Sequence, residues 1–245
     1  MAHDGPRGRA DRFPTTRLSI VLAAVEDSGR ESQDALDALC RMYWSPLYAF
    51  IRRQGHDPED ARDLTQAFIA RLLEKGTLRQ FRSERGRFRS FLLACLKHFL
   101  SNQRDLERAR KRGGGVAPVS LDQVAVDRWT QLEPRDNATP ETMFERQWAL
   151  QVLQQAMTRL GEECARDGGG ARFERLKGYL TREGDTPAYR EAGRELGITE
   201  GAVKVAVHRL RDRFHHCLRE EVSLTVVDAG DISDEIRYLI GALRS

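Results

Sequence analysis

An all-α protein is what this sequence predicts: two small helical bundles joined by a flexible linker, the second built round a helix-turn-helix. Three observations predict it. Apolar residues recur at three- and four-residue spacing in two long blocks. Capping residues mark several helix starts. Strand patterns are almost absent, the best being the very short Leu224 to Val227.

The 245 residues are 40% hydrophobic and 31% charged, an ordinary balance for a chain with its own buried core. The net charge of +3 is modest, but the charges cluster, and clustering is what a DNA partner responds to. Cys40, Cys95, Cys164 and Cys217 are scattered with no CxxC pair. They read as small buried hydrophobes in a reducing cytoplasm, not as a disulfide frame or zinc site. The polar stretch Met1 to Thr16 holds no secretory signal, and the apolar run Ile20 to Val25 is too short to span a bilayer. A cytoplasmic protein with no membrane partner is the expectation.

Glycine and proline divide the chain. An extension covers 1–32, a helix-rich block 33–112, a linker 113–140 with Gly113-Gly114-Gly115, Pro118, Pro134 and Pro140, a second helix-rich block 141–222, and a further extension 223–245. The second block is interrupted near Gly168-Gly169-Gly170.

In the first block, Asp57-Pro58-Glu59-Asp60 starts a helix: a capping Asp, Pro at the first helical position, then acids that suit the helix dipole. Ala61, Leu64, Phe68 and Leu72 give it one apolar face, and Gly76 ends it. Asp57, Glu59, Asp60 and Asp63, relieved only by Arg62, repel nucleic acid and suit a basic protein partner. A second helix runs from Phe88 to Gln103, with Phe88, Phe91, Leu92, Cys95, Leu96 and Phe99 as its apolar stripe. The stripe is first of all bundle core.

The segment Arg79 to Arg112 carries eleven basic residues against Glu84, Asp105 and Glu107, so its net charge is +8. Phe81, Phe88, Phe91 and Phe99 lie among them. Cations beside aromatic rings suit single-stranded or melted DNA, whose exposed bases stack. At least three of these rings are expected in the core.

In the second block, Thr186 to Leu218 reads as a helix-turn-helix. A first helix, Pro187 to Leu196, stops at Gly197; Thr199 then caps a second. Gly193 lets the two helices cross closely, and Gly197 supplies a left-handed turn. Val203, Val207, Leu210, Phe214 and Leu218 form the second helix's inner face; Lys204, His208, Arg211 and His215 lie opposite. Such a helix enters the major groove by its N-terminal end, while basic residues further along hold phosphates. Lys204 suits a phosphate or guanine, Val205 a thymine methyl group. Arg209, Arg211 and Arg213 suit the salt-dependent part of binding. Adjacent histidines point to different sides of a helix, so His208, His215, His216 and Cys217 make no ligand set, and neither a catalytic constellation nor a cofactor is expected.

These residues resemble the extracytoplasmic-function (ECF) sigma factors of the sigma-70 family. Asp57-Pro58-Glu59-Asp60-Ala61-Arg62-Asp63-Leu64-Thr65-Gln66-Ala67-Phe68 resembles the sigma-2 pattern D-x-E-D through D-L-x-Q-x-x-F. Gly86-Arg87-Phe88-Arg89-Ser90-Phe91-Leu92-Leu93 resembles its G-x-F-R-x-W-L segment, with Phe91 where tryptophan is usual. Glu195 to Lys204, with His208-Arg209-Leu210-Arg211, resembles the sigma-4 helix-turn-helix, with Ala192 and Gly193 replacing a larger aliphatic and an alanine.

The resemblance implies that Asp60, Asp63, Leu64, Gln66 and Phe68 grip the polymerase clamp. It gives binding of the melted −10 strand to Arg79, Arg82, Arg85, Arg87, Arg89, Lys97, Asn102 and Arg104. It gives reading of the −35 duplex to Thr199, Glu200, Gly201, Lys204, Val205, His208 and Arg209. The implied partners are core RNA polymerase and promoter DNA, with an anti-sigma factor as a further partner the family admits. The rival reading is a helix-turn-helix regulator that never joins polymerase; it leaves the acidic helix and the basic Phe-rich block unexplained. The chain exceeds the family's usual length by its head, linker and tail. In the tail, Ser233 to Leu243 places Ile236, Leu239, Ile240 and Leu243 on one face of a short helix. Two roles stay open for it: packing back on a sigma domain to keep the free factor inactive, or extending the sigma-4 core.

Overall fold

The computed structural model describes residue 18 and residues 30–74, 77–81, 87–111, 139–180 and 186–244. Eight α-helices and no strand occur among the described residues. The best strand candidate, Leu224 to Val227, forms none: residues 224 and 225 lie in a turn and 227 in a bend. The linker and Gly76 fall outside the described residues, apart from Thr139 and Pro140, which open a helix.

Helix α1 spans Arg30–Arg53 and buries Leu39, Met42, Tyr43, Leu47, Phe50 and Ile51. Helix α2 spans Pro58–Glu74. Its start is the one the sequence predicts: Asp57 Oδ1 accepts from the N–H groups of Glu59 and Asp60, both at 2.9 Å. Such a cap contributes about 1 kcal/mol by pairing donors the helix itself cannot satisfy. A short 3₁₀ turn, Thr77–Gln80, leads towards helix α3, Phe88–Lys111, which continues beyond the predicted Gln103.

Helix α4, Pro140–Arg166, holds the two halves together. Thr139 caps it, Oγ1 accepting from the Thr142 N–H at 3.2 Å, with Pro140 at the first position. Its buried residues Phe144, Trp148, Val152, Ala156 and Leu160 recur at four-residue spacing and form a row inclined to the helix axis. Trp148 is the largest wholly buried side chain. Helix α4 lies along α1 on one side and against the C-terminal helices on the other. Tyr43 of α1 stacks on Phe144 at 6.4 Å between centroids, and Gln151 Nε2 donates to the Arg41 carbonyl at 3.3 Å.

The chain turns at 167–169 into the short helix α5, Gly170–Leu176. Helices α6, Thr186–Leu196, and α7, Glu200–Val222, follow, and α8, Ile232–Arg244, ends the described chain. Helix α8 packs on α4 and α7. One continuous core runs from Leu39 of α1 to Ala242 of α8, so the two blocks are packed against each other and not merely tethered. Leu18 joins this core, and its N–H donates to the Ser223 carbonyl at 3.2 Å.

Helix α8 faces inwards by a stripe different from the one expected. Ile236 and Leu239 are buried as predicted, but Ile232, Glu235 and Ala242 join them, while Ile240 is 44% exposed. Ile232, Glu235, Ile236, Leu239 and Ala242 share one face at three- and four-residue spacing, and the Glu235 carboxylate on that face is ion-paired.

Candidate nucleic-acid interface

Helix α3 carries the basic surface. Phe81, Phe88 and Phe99 are core; Phe88 meets Tyr43 edge-on at 5.6 Å and Phe81 edge-on at 5.3 Å. Phe91 is half-buried, tilted against Phe81 at 5.4 Å, and keeps an edge at the surface. Among these four rings it is the one that is not fully buried.

The cations of this region are sorted by their neighbours. Asn102 and Arg104 are exposed, and Arg104 donates at 3.1 Å to Oε1 of Gln54, in the turn after α1. Lys97 Nζ lies 2.6 Å from Glu141 Oε1 of α4. Arg87 Nη1 lies 3.3 Å from Glu235 Oε2 of α8. Arg89 is buried and donates to the other oxygen of the same carboxylate. Its guanidinium carbon is 3.8 Å from the Tyr238 ring centroid and 5.0 Å from that of Trp148. Burial disfavours the Arg89 charge, but the Glu235 carboxylate outweighs it and holds the guanidinium above its usual pKa. Arg82 and Arg85 lie outside the described residues, as does the side chain of Arg79.

The acidic helix turns its charge outwards. Asp60, Asp63 and Gln66 are exposed on α2, and Leu64 is half-buried between them and the core. Phe68 is 3% exposed and packs on Phe99 at 5.6 Å, so it supports this surface from beneath and presents none of its own.

Helices α6 and α7 form the helix-turn-helix. At the end of α6 the Ile198 N–H reaches the Gly193 carbonyl at 2.9 Å and the Gly197 N–H reaches that of Arg194 at 3.3 Å. That double closure needs a left-handed residue, and Gly197 has φ +64°. Thr199 Oγ1 then accepts from the Ala202 N–H at 3.2 Å and starts α7. Val203, Val207, Leu210 and Leu218 are buried, with Phe214 half-buried beside them.

The side chains expected to read duplex DNA share one end of α7. Thr199, Gly201, Lys204, His208 and Arg209 are exposed, and Val205 is 51% exposed. Glu200 is half-buried; its carboxylate accepts from Lys204 Nζ at 2.8 Å, and that bond keeps its pKa below the usual range. Gly201, Val205 and Arg209 face a groove of about 510 Å³ whose far wall includes Arg172 and Phe173. The two other arginines expected to hold phosphate, Arg211 and Arg213, are turned elsewhere: Arg211 donates to the Tyr179 carbonyl at 2.9 Å and Arg213 to Asp167 at 3.0 Å. Arg209 is therefore better placed than either for phosphate.

Sequence reasoning missed Glu141, Trp148, Glu235 and Tyr238, which surround the basic helix from the other half of the chain. The acids Asp234 and Glu235 read as ordinary dipole partners of a helix start, and nothing local shows that one faces an arginine 146 positions away. Among the described residues no group of three or more His, Cys, Asp or Glu side chains is placed to hold a metal ion.

Residues 39–111 match the family model of Sigma-70 region 2. That stretch runs from within α1 to the end of α3 and holds both the acidic helix and the basic one. The match supports a sigma factor of the sigma-70 family. Comparison with curated proteins and with solved structures gives no match. No described helix is long and apolar enough to cross a membrane.

Proposed function

We propose that this chain is a sigma factor of the extracytoplasmic-function kind, which binds core RNA polymerase and directs it to promoters by reading a −35 duplex and a melted −10 strand. The observation that carries the proposal is charge segregation within the stretch that matches Sigma-70 region 2. Asp60 and Asp63 stand exposed on α2, while α3 exposes Lys97, Asn102 and Arg104 and carries a half-buried Phe91. A negative helix suits the basic coiled coil of a polymerase clamp and repels DNA; a positive helix with an accessible ring suits unpaired bases.

Docking through Asp60, Asp63, Leu64 and Gln66 brings the basic helix to the DNA. Thr199, Glu200, Gly201, Lys204, Val205, His208 and Arg209 fix register on the duplex. Binding unstacked −10 bases shifts the closed–open equilibrium of the duplex by the difference in affinity for the two forms. The bond-making chemistry belongs to the polymerase. A regulator that uses only its helix-turn-helix gives no reason for a Sigma-70 region 2 segment.

The test is run-off transcription with core polymerase on a promoter library. Discrete start sites dependent on this protein are expected. Absence of transcripts together with no association with core enzyme at low ionic strength would overturn the reading.

A further inference from the structure

We infer that α8 is an internal competitor for the −10 strand, and that the packing described above is a closed form of the protein in which the part of the DNA-melting surface made by Arg87, Arg89 and Lys97 is already filled. The inference rests on the assignment of Arg87, Arg89 and Lys97 to −10 binding. Each of the three is paired with a carboxylate from the C-terminal half: Glu235 serves both arginines, and Glu141 serves Lys97. Glu235 is wholly buried in doing so. Arg89 receives a carboxylate on its edge and the Tyr238 ring on its face, with Trp148 close by. An anionic oxygen and a stacked ring are the two groups a nucleotide offers an arginine, as phosphate and as base. Helix α8 supplies both, and a strand cannot reach Arg89 until the helix leaves.

The contact is built to be reversible. A buried ion pair gains little net stability over an apolar alternative, because desolvation offsets much of the attraction. Its main effect is to fix which surfaces meet. Helix α8 follows α7 after residues 223–231, so drawing α7 away to a duplex element some distance off pulls directly on α8. Polymerase holding α2 and a −35 element holding α7 would separate the halves and release Arg87, Arg89 and Lys97 together.

The test measures binding of a labelled, mixed-sequence single-stranded DNA of about 20 nucleotides to the full chain without polymerase, over a range of salt. Glu235→Gln is expected to bind about tenfold tighter at low salt and to steepen the log-affinity against log-salt slope by about 0.7 for each arginine freed. Arg89→Ala alone should change binding by less than about twofold, since that side chain is already occupied, but when combined with Glu235→Gln it should cut the gain to the part that Arg87 supplies. Tyr238→Ala, which leaves no charge unpaired, should shift binding in the same direction by a smaller factor and serves if Glu235→Gln does not fold. Equal binding by wild type, Glu235→Gln and Tyr238→Ala overturns the lock. So does a loss from Arg89→Ala as large in the wild type as in the Glu235→Gln background. Core polymerase association, measured alongside, separates the two ideas: polymerase bound with a flat DNA response sinks the lock alone, whereas no association sinks the sigma reading and the lock with it.

Discussion

A Cβ placed on Gly193 would lie 2.7 Å from the carbonyl oxygen of Ile198, closer than real side chains come to a backbone atom. The oxygen belongs to the turn of the helix-turn-helix, so the absence of a side chain at 193 sets the distance between α6 and the start of α7. Alanine favours a helix interior over glycine by about 1 kcal/mol. Here the clash is with backbone that cannot rotate away, and overpacking of this kind costs about 1–3 kcal/mol. Gly193→Ala is therefore expected to lower the urea midpoint and weaken duplex binding. An unchanged or raised midpoint would refute the close-approach account.

Phe68 and Asp63 lie on the same helix and should fail in opposite ways. Phe68→Ala removes a ring packed on Phe99 and should cost about 3–5 kcal/mol in equilibrium unfolding. Asp63→Arg changes an exposed charge and should leave stability within about 0.5 kcal/mol while abolishing polymerase association. Loss of folding in the second, or retained stability in the first, would contradict their placement.

Lys204 is exposed, and its tie to Glu200 is a surface pair worth little. Lys204→Ala should weaken binding to duplex −35 DNA and flatten the salt slope by about 0.9. Association with core polymerase should be unaffected, as measured by pull-down. A large loss of association would move Lys204 from the DNA face to the protein face.

The bridge between Lys97 and Glu141 gives the junction of the halves a dependence on acid. The Lys97 ammonium, with help from Glu141's own backbone N–H, holds the Glu141 carboxyl below its usual range. A carboxylate lowered on folding stabilises the native state at pH values above its unfolded pKa, near 4.3, and that contribution fades as pH falls through the folded value. The stability difference between wild type and Glu141→Gln should be constant above about pH 5 and close in more acid solution. The pair is half exposed, so the difference should also shrink in high salt. A difference that grows in acid would contradict this sign.

The helix class and the starts of α2 and α7 were legible in the sequence, because capping and periodicity act over one or two turns. Asp57, Thr199, Gly193 and Gly197 each do in the fold what their neighbours in sequence require. The acidic surface of α2 was legible for the same reason. Phe68 lies on the apolar face that its spacing with Ala61, Leu64 and Leu72 predicts, and only the resemblance groups it with Asp63. Spacing gives a residue's angle round the helix, not that Phe99 stands opposite.

By itself the sequence determined which helices form, where their charges lie and how the helix-turn-helix closes, since these depend on contacts within a few residues. Only the tertiary structure decided that the two halves share one core through α4, and that the carboxylate of Glu235 is spent on Arg87 and Arg89. Such pairings join positions far apart in the chain. They are fixed by which apolar stripes are buried together, and a stripe on one helix carries no record of the partner that will cover it.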